Sequence, residues 1–176
     1  MSSLENYYFQ VKNESSSLEK LSLAKPELAE EIKNAKAVIL PSHGSKDSFY
    51  SSTLDLLDYL NENGLCTTVY ASDDEYIELS LHGADHWIGK LFINEVTIPL
   101  FVGLLTNYVY DELKAEPDDN IAINVVVERG SDNSISVDFR GKVDDLTLAL
   151  NEINKLGVAD NKEEKKEANE SLNEKK

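Results

Sequence analysis

The nearest the chain comes to a metal-ligand set is His82-Gly83-Ala84-Asp85-His86, two imidazoles four residues apart with a carboxylate between them. Neutral imidazole suits zinc, copper or nickel, and residues at i and i+4 share one face of a helix. The helix is expected to start only at about Ala84, however, so Gly83 lies before it and the shared face is broken. A third ligand at motif spacing is missing, His43 being distant in sequence. A site made of His82, Asp85 and His86 therefore competes with a strand-to-helix turn in which Asp85 sits near the helix N-terminus.

Pro41-Ser42-His43-Gly44-Ser45 follows an apolar strand and precedes a helix, a placement at which α/β sheets bind ligands. Ser42 or Ser45 beside His43 has the residue types of a nucleophile and its base, but residues this close in sequence seldom reach the required geometry. The loop has neither the Walker pattern nor the spacing of a dinucleotide fingerprint. What it offers is a place for a small anionic ligand at Ser42, His43 and Ser45, set against a polar helix cap. No catalytic residue is nominated, and no cofactor is expected.

Carboxylates are the commonest reactive groups. Asp73, Asp74, Glu75 and Glu78 gather about one expected turn, and Asp118 and Asp119 about another. Calcium-loop spacing is absent, and a surface that attracts a basic partner needs less coincidence than a catalytic pair. The whole chain of 176 residues has 33 Asp and Glu against 17 Lys and Arg, a net charge of -16. Residues 1–35 hold six Glu and four Lys and residues 157–176 six acidic residues and five Lys, so residues 36–156 carry -13. That balance argues against direct nucleic-acid binding and against anionic membranes, both of which need clustered cations. The expected partner is another protein with a basic surface. An acidic mimic of nucleic acid, occupying a nucleic-acid-binding protein, is a further reading of the charge.

The elements that must position these groups follow from apolar spacing. Strands are expected over Tyr7–Val11 and Ala37–Leu40, with a polar connector from Lys12 to Ser17 and a short helix opened by Pro26. A helix is expected from Asp47 to Asn63, with Tyr50, Leu54, Leu57 and Leu60 on its buried face and Gly64 as its stop. Residues 84–94 look helical. Pro99 opens a helix reaching Lys114 that is apolar all round, which suits a central position or a shared interface between copies over residues 96–113. Its apolar stretch is too short to span a bilayer. The last helix runs from Val143 to Leu156.

The class expected is α+β: a mixed sheet with two hairpins, 66–81 and 121–140, packed by helices that include a central apolar helix over 98–114. Residues 1–156 should form one globular domain with a sub-domain division near 83, followed by a disordered mixed-charge tail over 157–176. Cys66 is the lone cysteine and the N-terminus lacks the pattern of a secretory signal, so a cytoplasmic location is expected.

The stretch IPLFVGLLTNYVYDELK, followed by NIAINVVVERGSDNSISVDFRGKVDDLTLALNEI, resembles small bacterial effector-associated components of defence or conflict systems: an apolar helix, a strand hairpin and a closing amphipathic helix. The resemblance covers residues 96–156. It departs from that family at KAEPDD, which stands where a basic helix end is usual, and the N-terminal half has no counterpart. It implies an accessory role and no catalytic residue. Charge and resemblance together lead to a non-enzymatic, acidic interaction or accessory protein, with a small enzyme or ligand-binding domain built on PSHGS and HGADH as the competing reading.

Overall fold

Ile121, Ile123, Val125 and Val127 alternate with smaller or polar residues, and in the computed structural model they form one buried face of a ten-residue strand. The structure describes residues 8–42, 47–79, 85–129 and 133–156. Within them the order is β1 (Tyr8–Glu14), α1 (Leu18–Ala24), α2 (Ala29–Asn34, entered through a turn at Pro26–Leu28), β2 (Ala37–Leu40), β3 (Ser48–Tyr50), α3 (Thr53–Glu62), β4 (Thr67–Val69), β5 (Ile77–Leu79), β6 (His86–Asn94), α4 (Ile98–Asn107), β7 (Asn120–Arg129), β8 (Asn133–Lys142) and α5 (146–156). A π-helical turn, Tyr108–Glu112, continues α4.

Six strands form one sheet in the order β1-β8-β7-β6-β2-β4, and β3 and β5 form a separate parallel pair. The large sheet is mixed: β6 runs parallel to β7 and antiparallel to β2, while β2 and β4 are parallel. The fold is therefore α+β with a mixed sheet, as the spacing predicts, and the 121–140 hairpin is present with Val125 opposite Val137. Strands from either side of residue 83, β2 and β6, are neighbours in it. Residues 157–176, expected to be a tail, lie outside the described residues.

Apolar burial divides the molecule into layers. On one face Leu56 and Leu60 of α3, Phe101 and Leu105 of α4, and Leu146, Leu150 and Ile153 of α5 pack over Ile39, Leu91, Ile93, Val125 and Phe139. On the other, Leu28 and Ile32 with Leu18 and Leu21 cover Val38, Leu40, Phe92 and Val126. The second cover is short, and the β7 and β8 residues at its edge and beyond it on that face are small or polar: Ala122, Asn124, Ser136, Asp138 and Arg140.

Four expectations are corrected. Residues 84–94, expected to be helical, contain β6. Leu91 and Ile93 enter one core layer and Phe92 the other, so a strand buried on both faces shows no polar alternation. The 66–81 hairpin is absent, because β4 pairs with β2 and β5 pairs with β3. Ser72-Asp73-Asp74 carries no Gly or Asn to take the left-handed backbone that tight hairpins require. The helix expected from Asp47 begins at Thr53, after the strand Ser48–Tyr50, and its buried residues are Thr53, Leu56 and Leu60. Finally, α4 is not central. It lies on one sheet face, with Ile98, Phe101 and Leu105 buried, while Leu100, 44% exposed, and Val96 in the turn before the helix, 86% exposed, face outward. No helix of the described residues is long and apolar enough to cross a membrane.

Gly89 marks a bulge in β6, where the register with β7 shifts between Trp87 and Gly89. Its φ is +105°, and an added Cβ would lie 3.1 Å from Ser42 Oγ and 3.5 Å from the Tyr50 ring. Here the helix and strand readings predict opposite signs. In a helix Gly89→Ala would stabilise by about 0.5–1 kcal/mol, whereas at this bulge it should destabilise by about 1–3 kcal/mol, measurable as a lower urea midpoint.

Candidate functional site

The sequence T-L-D-L-L-D-Y-L-N-E of α3 buries Thr53, Leu56 and Leu60. The same helix puts Asp55, Asp58, Tyr59 and Glu62 at relative positions 0, 3, 4 and 7, a single stripe along its side. Two anchors fix the helix and so the direction of that stripe. Ser52 Oγ donates to Trp87 O at 3.1 Å, and Asn61 holds Thr67 twice, accepting from its N–H at 2.8 Å and donating to its carbonyl at 3.1 Å. Gly64, with φ +89°, ends the helix as its position predicts.

The other wall comes from the chain after α4. The π turn widens the helix, with Leu113 N–H reaching Tyr108 O at 2.9 Å, and Lys114 takes a positive φ of 50°. Tyr108, 3% exposed, lies against Tyr59 with ring centroids 5.2 Å apart and planes at 49°. The result is a cleft of about 620 Å³ lined by Asp55, Asp58, Tyr59, Glu62, Asn63, Tyr108, Glu112 and Leu113.

Among the described residues, Asp55, Asp58, Glu62 and Glu112 have no ion pair, and the Tyr108 hydroxyl has no hydrogen-bond partner. Burial, reinforced by the charges of Asp55 and Glu112, pushes the Tyr108 phenol up to about 12. Tyr59 is raised by burial and then by Glu112 and Asp111. A phenol that far from neutrality is a poor acid–base catalyst. Carboxylates beside tyrosine faces suit a bound organic cation, which gains both charge pairing and ring contact.

The acidic residues nominated from sequence are placed differently. Asp73 and Asp74 are exposed in the turn after β4, and Glu78 is exposed on β5. Glu75 meets Lys25 Nζ at 2.9 Å, and that hydrogen bond and charge hold its carboxyl below the usual range. Asp118, with a side chain 94% exposed, lies 3.6 Å from Lys142. Asp119 meets His86 Nε2 at 3.0 Å and accepts from Glu116 N–H at 2.8 Å, which together hold it low. Glu75 and Asp118 thus each have a lysine as internal counter-charge, and Asp119 has an imidazole as hydrogen-bond partner.

His86 is on a strand and pairs with Asp119, while Asp85 accepts from Asn120 Nδ2 at 3.2 Å, so these two do not share a helix face. His82 lies outside the described residues, as do His43 and Ser45. Among the described residues no three His, Cys, Asp or Glu gather in a way that could hold a metal ion. Ser42 is buried and lines a second cavity, on the opposite face of the sheet. The α3 stripe was missed because the helix phase was set from Tyr50, which belongs to β3. The spacing D-x-x-D-Y-x-x-E was the signal available.

A pH prediction follows from Tyr108. Its folded pKa lies above the unfolded value near 10, so its contribution is intact below pH 10 and is lost as pH rises through about 12. Chemical-denaturation stability should fall across that window, and Tyr108→Phe should remove a part of the fall on the order of 2 kcal/mol.

No protein-family model matches the chain, and no curated protein or solved structure is significantly similar to it. Function is therefore argued from the geometry of these residues.

Proposed function

We propose that the chain is a non-enzymatic interaction protein whose acidic cleft, between α3 and Tyr108–Glu112, seats a Lys or Arg side chain from a basic segment of a partner protein. The observation that carries this reading is the set of four carboxylates without an internal counter-ion around two contacting tyrosines. A cation entering the cleft meets Asp55, Asp58, Glu62 and Glu112 as charge partners and the tyrosine faces as ring partners. The four carboxylates at the cleft attract a basic partner over about a Debye length, which makes the encounter salt-sensitive.

The helix itself supports the reading. Asp55 with Asp58 and Asp58 with Glu62 are like-charge neighbours at i,i+3 and i,i+4, each destabilising by about 0.2–0.5 kcal/mol. A local rule broken without internal compensation is the mark of a surface kept for something else. The resemblance of residues 96–156 to effector-associated components supplies the setting, a bacterial defence or conflict system in which this chain is an accessory. The exposed lone cysteine fits a cytoplasmic, reducing location.

Titration calorimetry with an Arg-rich peptide tests the cleft. Wild-type protein should bind with affinity that falls as salt is raised. Asp58→Asn with Glu62→Gln should weaken binding by at least about tenfold, about 1.4 kcal/mol, while raising stability by a few tenths of a kcal/mol. Asp73→Asn with Asp74→Asn should bind as wild type. Equal losses in the two double variants would reduce the effect to net charge and overturn the cleft.

A further inference from the structure

On the other face of the sheet, beyond the reach of α1 and α2, lies a cavity of about 470 Å³. Its position and residues are independent of the acidic cleft. We infer that this cavity binds a small anion carrying a flat ring, of the size and chemistry of a mononucleotide.

The argument starts from charge. Lys33, Lys36 and Lys114 also make no ion pair among the described residues, but they are exposed, whereas a half-buried cation without a partner stands out in a chain with almost twice as many acidic as basic residues. Lys90, half-buried on β6 at the cavity, makes no hydrogen bond or ion pair among the described residues. Arg140 joins it from β8, its guanidinium 5.5 Å from the Tyr8 ring centroid and 4.0 Å from Asp138 Oδ2. Asn124 on β7 has its Oδ1 satisfied by Ser136 Oγ at 3.0 Å, which leaves its amide N–H group to donate. Three strands thus supply donors at one cavity, an arrangement that suits phosphate oxygens.

The remaining lining supplies the rest of the ligand's chemistry. Trp87 and Tyr50 stand at the cavity with centroids 5.5 Å apart and planes at 52°, an apolar aromatic wall for a planar ring. Asp138 is among the lining residues, and burial raises its carboxyl despite the nearby charges of Arg140, Lys12 and Lys90. A carboxyl there can hydrogen-bond ribose hydroxyls or a base N–H. Gly89 at the bulge shapes the wall, because an added Cβ would lie only 3.1 Å from Ser42 Oγ, with Tyr50 packed alongside at ordinary contact distance. The volume falls within the range of pockets for ligands of this size.

Trp87 is the sole tryptophan and lines this cavity as well as a smaller one beside His86, so its fluorescence reports binding and the Lys90 and Arg140 variants assign it to this cavity. Purified full-length chain is titrated with purine and pyrimidine mononucleotides, with the matching nucleosides and with inorganic phosphate. The expected result is saturable quenching by at least one mononucleotide, with its nucleoside and phosphate alone each at least tenfold weaker. Lys90→Ala and Arg140→Ala should each weaken that mononucleotide at least tenfold while leaving the unliganded spectrum unchanged. Absence of saturable quenching by any mononucleotide would overturn the inference, as would affinity unaltered in both variants. Retained binding of the Arg-rich peptide in Lys90→Ala shows that the variant is folded and separates this outcome from failure of the cleft.

Discussion

Strand β6 is the constraint on which the arrangement rests. It is hydrogen-bonded along both edges, antiparallel to β2 and parallel to β7, so it joins the N-terminal strands to the C-terminal hairpin. A strand in that position must be apolar toward both layers, and Leu91, Phe92 and Ile93 meet the requirement. The parallel pairing with β7 also requires a long return connection, which α4 and the π turn provide. That connection is what carries Tyr108 and Glu112 across to α3. The acidic cleft is thus a consequence of how β6 is paired, as is the placement of Trp87 and Lys90 on the opposite face.

The two faces of the sheet receive unequal cover, and this difference produces the second cavity. Three helices pack on one side, whereas α1 and α2 are short and seal only the region of Val38, Phe92 and Val126. Where the cover stops, large apolar side chains would be exposed, and the residues there are Asn124, Asp138 and Arg140, with only the small Ala122 apolar. Their polarity is what an open sheet face demands, but simple solvation does not require that donors from three strands meet beside an aromatic pair.

Legibility in the sequence followed how local each interaction is. The β7–β8 hairpin was readable because its strands adjoin in the chain and their inward residues alternate. The helix at 146–156 was readable from its acidic first turn and its apolar stripe. β6 was not, because burial on both faces erases the period of two, and Gly89 interrupts what remains. The pairings of β4 with β2 and β5 with β3 are parallel and non-local, so no adjacent turn announces them. α1 lies between the expected connector, Lys12–Ser17, and the helix expected at Pro26, and its few apolar residues give no stripe to read, although Ser17 caps it through Lys20 N–H. Half of the cleft was legible in the α3 spacing, while the half supplied by Tyr108 and Glu112 depends on tertiary structure alone. Of the loop nominated for ligand binding, Ser42 does line a cavity, but Lys90, Asn124 and Arg140 come from three separate strands that no motif connects.

Net charge and local charge are distinct quantities in this protein. The acidic turns that look most prominent in the sequence contain Glu75 and Asp118, each with a lysine beside it, and Asp119, hydrogen-bonded to His86, while Asp73 and Asp74 are exposed in a turn. The carboxylates of the cleft, dispersed along a helix and therefore inconspicuous as a cluster, have no cation partner among the described residues. At physiological ionic strength a surface charge is largely screened beyond about 8 Å, so the field at any site is set by its nearest neighbours and hardly by the total of -16. A strongly acidic chain can consequently leave Lys90 without a carboxylate partner on one face of its sheet and four carboxylates without a cation partner on the other. What distinguishes either place is a missing counter-ion beside a contacting aromatic pair, a property of the fold that composition does not contain.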